Sequence, residues 1–157
     1  MFANSQFKLG IEPGRSIAAP SGILVSSVLR VKSRKNKHFL VLDAGMNDLI
    51  RPALYGSEHL IVPVRYNGSL NPKSEKKSFT IVGPICESSD VFNESAILDQ
   101  VSENGLIAFT NAGAYGMSMA SQYNSRPLPP EVLVDQDCFT VIRSRETYAE
   151  LIQNEIF

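Results

Sequence analysis

Short runs of β-branched, aliphatic and aromatic residues recur along the chain: "GILVSSVLRVK", "HFLVLDAG", "HLIVPVR", "SFTIVGPI", "GLIAFTNAG", "EVLVD" and "CFTVIRS", most bounded by Gly, Pro, Asn or Asp. Residues of this kind suit a pleated, half-buried surface, and the bounding residues turn the chain. Their short, irregular spacing favours a β-sandwich or barrel over strand–helix–strand units. Helical pattern is confined to three places. "MNDLIRPALYG" predicts a turn or two, with Asn47 or Asp48 as N-cap and Gly56 as stop. "ESAILDQVSENG" carries a similar short pattern, and "SRETYAELIQNEIF" predicts a terminal helix with Glu146 in its first turn. The fold class expected is mainly β with small helical inserts. Lys32 to His38 reads as a basic hairpin tip, and Asn67 to Lys77 as a turn-rich connection. Neither interleaves aromatic residues, so both read as solvated surface.

The 157 residues suffice for one domain with a sizeable core, and 43% hydrophobic with 20% charged content is ordinary for a globular chain. A net charge of −1 gives no footprint for nucleic acid or a membrane surface, so neither is expected as a partner. The opening "MFANSQFKLG" has no signal-peptide character, and two distant thiols, Cys86 and Cys138, fit a reducing cytoplasm better than a disulfide. His38 and His59 lie in unrelated contexts with no metal-ligand spacing, so no metal is expected.

Four segments exceed what a plain β-domain needs. "IEPGRS" (Ile11 to Ser16) puts a rigid φ, a permissive glycine and two opposite charges on one loop, an arrangement suited to an anion and equally to a Pro-Gly turn with a surface ion pair. In "LDAGMNDLIRPALYG", Arg51 and Tyr55 are four apart and share a helical face, able to grip one carboxylate or simply to lie on the surface. Asp43 there ends a strand and organises the Ala44-Gly45 turn. "GPICESSD" sets Cys86 beside Glu87 where a strand ends, as a proton donor next to an amine-binding carboxylate or as a buried thiol beside an exposed acid. In "NAGAYGMSMASQYNSRP", Gly113 and Gly116 flank Tyr115, which would let the backbone approach a ligand, or form a bland turn. Cys138, within "CFTVIR", reads as a core thiol.

The strings "EPGRSI", "DAGMNDLIRPALYG", "GPICESSDVF", "GAYGMSMASQYNSRP" and "EVLVD", in this order and spacing, resemble the C-terminal part of the diaminopimelate decarboxylase family, pyridoxal-phosphate enzymes of the alanine-racemase-like fold type. The resemblance runs from about Ile11 to about Leu151. It implies a (β/α)8 barrel that carries the cofactor, followed by a β-barrel-like domain, in a homodimer whose active sites are shared between subunits. Residues 1–20 would then end the barrel and 21–157 form the β-domain.

For the residues, the resemblance implies that Glu12 pairs with the pyridinium nitrogen of pyridoxal 5'-phosphate, and that Gly14 and Arg15 lie against its phosphate, Arg15 also facing the substrate carboxylate. Arg51 and Tyr55 would hold the distal carboxylate of meso-diaminopimelate. Cys86 would be the proton donor reaching into the neighbouring site, Glu87 would bind the distal amino group, and Tyr115 would contact both cofactor phosphate and substrate. The lysine that holds the cofactor belongs to the barrel in relatives, so this polypeptide alone is expected to be inactive, and a strand borrowed from the chain's N-terminus in relatives would be missing from its sheet. A related decarboxylase of ornithine or carboxynorspermidine, or a non-catalytic dimerisation module, are the alternatives.

Overall fold

The computed structural model describes residue 8 and residues 10–64, 75–99 and 101–156. Six strands, β1 (Leu24–Arg34), β2 (Lys37–Leu42), β3 (Ile61–Val64), β4 (Lys77–Val82), β5 (Val91–Leu98) and β6 (Leu106–Phe109), form one sheet in the order β3-β6-β1-β2-β4-β5. All neighbours are antiparallel except β2 and β4, which run parallel. Two more strands, β7 (Glu131–Asp135) and β8 (Cys138–Arg143), make a separate ribbon. The short helices are α1 (Arg15–Ala18), α2 (Arg51–Tyr55) and α3 (Tyr148–Leu151).

The sheet curls into a half-barrel, and a single ring contact shows how strongly. Phe92 of β5 and Phe109 of β6 have ring centroids 4.6 Å apart, although three strands lie between theirs. In a flat sheet four strand spacings would separate them by about 19 Å. The long β1 makes the bend: Leu24–Ser27 pair with β6, Val28–Arg34 with β2, and the register slips between Val28 and Arg30. Such a bulge lets one strand serve two sheet directions. Inside the curl Val28, Leu40, Leu42, Ile81, Ile107 and Phe109 are fully buried. Burying each stabilises the fold by about 1.5–3 kcal/mol.

The mainly-β expectation holds, with corrections. Residues 94–98 do not begin a helix; they are strand β5, paired with β4, because Phe92 and Leu98 reach the core from it and a helix would leave the β4 edge open. Residues 101–105 turn the chain back, Asn104 N–H donating to Val28 O and Val28 N–H to Gly105 O. Helix α2 starts at Arg51 with Ile50 as N-cap, not Asn47 or Asp48, whose side chains are buried in the preceding turn; Gly56, at φ +61°, does stop it. Glu146 lies outside α3, which is capped by Thr147 and Glu150 in a reciprocal box. Glu146 instead accepts the amide of Leu128 at 2.8 Å, tying the strap before β7 to the chain after β8. The basic tip is a turn at Lys35-Asn36 between β1 and β2. The Asn67 to Lys77 connection lies outside the described residues except for its last three. Cys138 is not a core thiol: it opens β8 in an exposed ribbon, where Phe139 is 75% accessible. Among the described residues no helix is long and apolar enough to cross a membrane.

Candidate functional site

Two glycines set the first part of the site. Gly22 follows α1, and Gly113 follows β6; Ala112 N–H donates to Gly22 O at 2.9 Å and Gly113 N–H to Ala19 O at 3.1 Å. The backbones touch so closely that a Cβ on Gly113 would fall 2.3 Å from Ala18 O. This crossing lays α1, with Arg15, beside the turn that carries Tyr115. Tyr115 itself sits in the left-handed region at φ +61°, a conformation that costs a bulky residue of order 1–3 kcal/mol and clusters at functional sites. Its hydroxyl lies 3.9 Å from the position a Cβ would take on Gly14. The Arg51 guanidinium stands 5.0 Å from the Tyr115 ring centroid and 5.0 Å from that of Tyr55, a cation between two rings.

Arg15 and Arg51 line the same open cleft of about 560 Å³, with Ser16, Ser57, Glu58, His59 and Asn111 among its walls. His59 donates from Nδ1 to Thr110 O at 2.8 Å, and its Nε2 is buried without a hydrogen-bond partner. Glu12 lies exposed ahead of α1.

The second part is the turn between β4 and β5. Glu87 N–H donates to Ile85 O and Asp90 N–H to Glu87 O, so Cys86 and Glu87 form its exposed tip. Tyr123 donates its hydroxyl to Glu87 Oε2 at 3.3 Å, and this carboxylate raises the tyrosine's pKa above the ordinary phenol value. Asp90 accepts the amides of Ile85 and Met46, each at 2.7 Å. Burial pushes its pKa up, against the pull of those two amides and Arg126. Asp48 is raised for the same reason, against the Gly45 amide at 2.8 Å and Arg126. Arg126 also donates to Asp43 O and stands 4.0 Å from Asp48 Oδ2. Asp43 ties β1 to β2 rather than organising the Ala44-Gly45 turn: it accepts from Ser26 Oγ at 2.6 Å and Ser27 N–H at 2.8 Å, and the Gly45 amide goes to Asp48.

The structure thus brings Arg15, Arg51, Tyr55, Tyr115 and Gly14 together and sets Cys86 and Glu87 apart, with Tyr123. Neither Cys86 nor Glu87 lines the cleft that holds the two arginines. Sequence reasoning missed Tyr123, Asp90, Asp48, Arg126 and His59. Tyr123 and Arg126 stand inside "YNSRP", but no spacing rule connects residue 123 to residue 87. Among the described residues no group of three or more His, Cys, Asp or Glu is placed to hold a metal ion.

Residues 17–113 match the family described as "Pyridoxal-dependent decarboxylase, C-terminal sheet domain". The chain belongs to this family. It is 43% identical to the diaminopimelate decarboxylase of Escherichia coli K12, covering 95% of this chain and 37% of that protein. The crystal structure of diaminopimelate decarboxylase from M. jannaschii superposes with a TM-score of 0.84 at 41% identity, over 93% of this chain and 32% of that one. The Helicobacter pylori diaminopimelate decarboxylase complexed with L-lysine gives 0.80 at 46% identity, over 90% and 34%. The chain spans about a third of the length of these relatives, and the half-barrel and the Gly22–Gly113 crossing both fall in the family's sheet domain.

Proposed function

We propose that this chain is the C-terminal sheet domain of a diaminopimelate decarboxylase, which removes one carboxylate from meso-2,6-diaminopimelate to yield L-lysine in lysine biosynthesis, with pyridoxal 5'-phosphate as cofactor. The observation that carries the reading is the cleft in which two guanidiniums, Arg15 and Arg51, face one volume with Tyr115 docked at its side. Two cations with planar forks suit a ligand that bears several anionic groups, and the cleft's size suits a cofactor-sized one.

The donor set fits the phosphate end of the cofactor: Arg15, Gly14 and the Tyr115 hydroxyl would hold it, and Glu12 would keep its ring nitrogen protonated. When bound, the cofactor supplies an electron sink for the pair left behind as carbon dioxide departs. Arg51 and Tyr55 hold the substrate's far carboxylate, which an ornithine-type substrate lacks; this ranks ornithine and carboxynorspermidine decarboxylation below. Arg15 orients the carboxylate that leaves. Cys86 returns a proton from Sγ to the substrate carbon, a step for which a neutral thiol is a suitable acid. Glu87 takes the distal ammonium, with Tyr123 steadying its carboxylate.

The separation of the two groups supports a homodimer in which the arginine cleft and the Cys86–Glu87 tip of one subunit serve different active sites. In this reading residues 1–20 are the end of the cofactor barrel and interdomain segment and 21–157 the sheet domain, the enzyme is cytoplasmic, and a bare interface module would have no use for the cleft.

A chimera tests it. The corresponding third of the Escherichia coli K12 enzyme is replaced by this chain and expressed in a strain lacking its own enzyme. Growth without lysine is the expected result. A folded chimera that decarboxylates ornithine in preference to diaminopimelate, or neither, overturns the reading.

A further inference from the structure

We propose that Asp90 is the positioning residue for the Cys86–Glu87 tip, clamping it to the turn that launches Arg51. The inference rests on the reading of Cys86 as an acid, but concerns a residue to which that reading gives no part. Asp90 is 3% exposed, and its two carboxylate oxygens point to different segments. Oδ2 accepts the amide of Ile85, the residue immediately before Cys86, at 2.7 Å. Oδ1 accepts the amide of Met46, forty-four residues earlier, at 2.7 Å. One buried carboxylate therefore closes its own loop and ties it to residues 43–48, which run directly into α2.

The clamp has no slack. A Cβ on Gly83 would lie 2.4 and 2.5 Å from the Asp90 oxygens and 2.6 Å from Gly45 Cα. Gly83 N–H donates to Asp90 O at 3.1 Å, so the loop is pinned at both ends of the same residue. The tip, by contrast, has little to hold it from outside: Cys86 is exposed, and the Glu87 carboxylate bonds only to Tyr123 and its neighbour Ser88 among the described residues. Where the thiol points is thus decided by the backbone beneath it. Asparagine cannot replace this carboxylate, because it would accept one amide and turn a donor toward the other.

The test uses this chain with Cys138→Ser, so that Cys86 is the single thiol, and compares it with the same chain carrying Asp90→Asn. Hydrogen exchange reads the amides of Ile85 and Met46, and alkylation by iodoacetamide across pH reads Cys86. Loss of one charge-assisted bond should cut protection at these two amides about ten-fold or more, and shift the alkylation rate or its pH midpoint, while the amides of Leu40, Ile81 and Ile107 stay protected. Unchanged protection overturns the proposal. So does lost protection with an unchanged Cys86 profile, which would make Asp90 structural only.

If Asp90→Asn does not fold, the chain with its native Asp90 still decides: Ile85 and Met46 must exchange far slower than solvated amides, and Gly83→Ala, which presses a methyl group on the same carboxylate, must shift Cys86 reactivity. Fast exchange, or no shift, overturns it. None of these readouts needs cofactor or turnover, so their failure and failure of the chimera to grow are distinguishable.

Discussion

Gly22 and Gly113 pass so close that a methyl group on either would overlap the other's backbone: 2.7 Å to Gly113 Cα in one direction and 2.7 Å to Gly22 N in the other. A single backbone crossing thus couples the helix bearing Arg15 to the turn bearing Tyr115. Alanine at 113 also meets Ala18 O at 2.3 Å, and carbonyl oxygen of a docked backbone does not yield as a side-chain tip would. Gly113→Ala is therefore expected to destabilise the chain by about 1–3 kcal/mol, the usual cost of overpacking. Urea unfolding with an unchanged slope would measure it. A loss below about 0.5 kcal/mol, within the range of ordinary surface changes, would show that the crossing can open freely.

Three aspartates near the site respond to pH with opposite signs. Asp43 is held below its ordinary pKa: burial alone would raise it, but the bonds from Ser26 and Ser27 outweigh that. A depressed folded pKa contributes stability above the unfolded value, near 3.9, that is lost as pH falls through the folded one. Asp48 and Asp90 are raised by burial, so their charged forms cost stability above their folded pKa and this cost disappears below about pH 3.9. Asp43→Asn should then destabilise the chain at pH 7 by about 1 kcal/mol, the partly exposed carboxylate weakening the effect of its two bonds. The deficit should shrink as the pH falls below 4. Denaturation at pH 7 and pH 3 checks it; a deficit constant across that range would remove the charge from the account.

Much of the fold was legible because alternation and turn residues are local signals. Every apolar run quoted from the sequence became a strand, from Leu24–Arg34 to Cys138–Arg143. The misreadings share a cause. "ESAILDQV" has both helical spacing and β-branched content, and only the neighbouring β4 edge decides for a strand. Cys138 looked buried because it stands within the apolar run "CFTVIR", yet the ribbon of β7 and β8 presents Val134 and Phe139 to solvent. In the site, Arg51 and Tyr55 were found from a spacing of four along one helix. The bonds from residue 123 to 87, or from 90 to 46, arise from tertiary closure, which no local pattern carries.

Tyr123 and Glu87 provide a spectroscopic handle on that closure. The carboxylate beside the phenol stabilises its protonated form, so Tyr123 should ionise above the ordinary tyrosine value. Glu87→Gln removes the negative charge and should bring the phenol down toward the ordinary range. Ultraviolet difference titration, with Tyr123→Phe to assign the signal, reads the change. An identical titration curve in the two proteins would mean that the 3.3 Å contact is not populated in solution.

Cys86 offers the sharpest test of the division of labour. If the thiol returns the proton while the arginine cleft binds the substrate, the two functions separate kinetically. In the Escherichia coli chimera, Cys86→Ala should lower kcat by about 10²–10⁴, the range for loss of a positioned proton donor, with KM little changed. Arg51→Gln should act in the opposite way, raising KM for diaminopimelate by removing a guanidinium from the cleft it lines while leaving more of kcat. Arg51→Lys should recover little, because a point charge reproduces neither the planar fork nor its position between the rings of Tyr55 and Tyr115. Steady-state kinetics on diaminopimelate distinguish the pair. A Cys86→Ala chimera with full kcat would place the proton donor elsewhere, whatever the fate of Arg51.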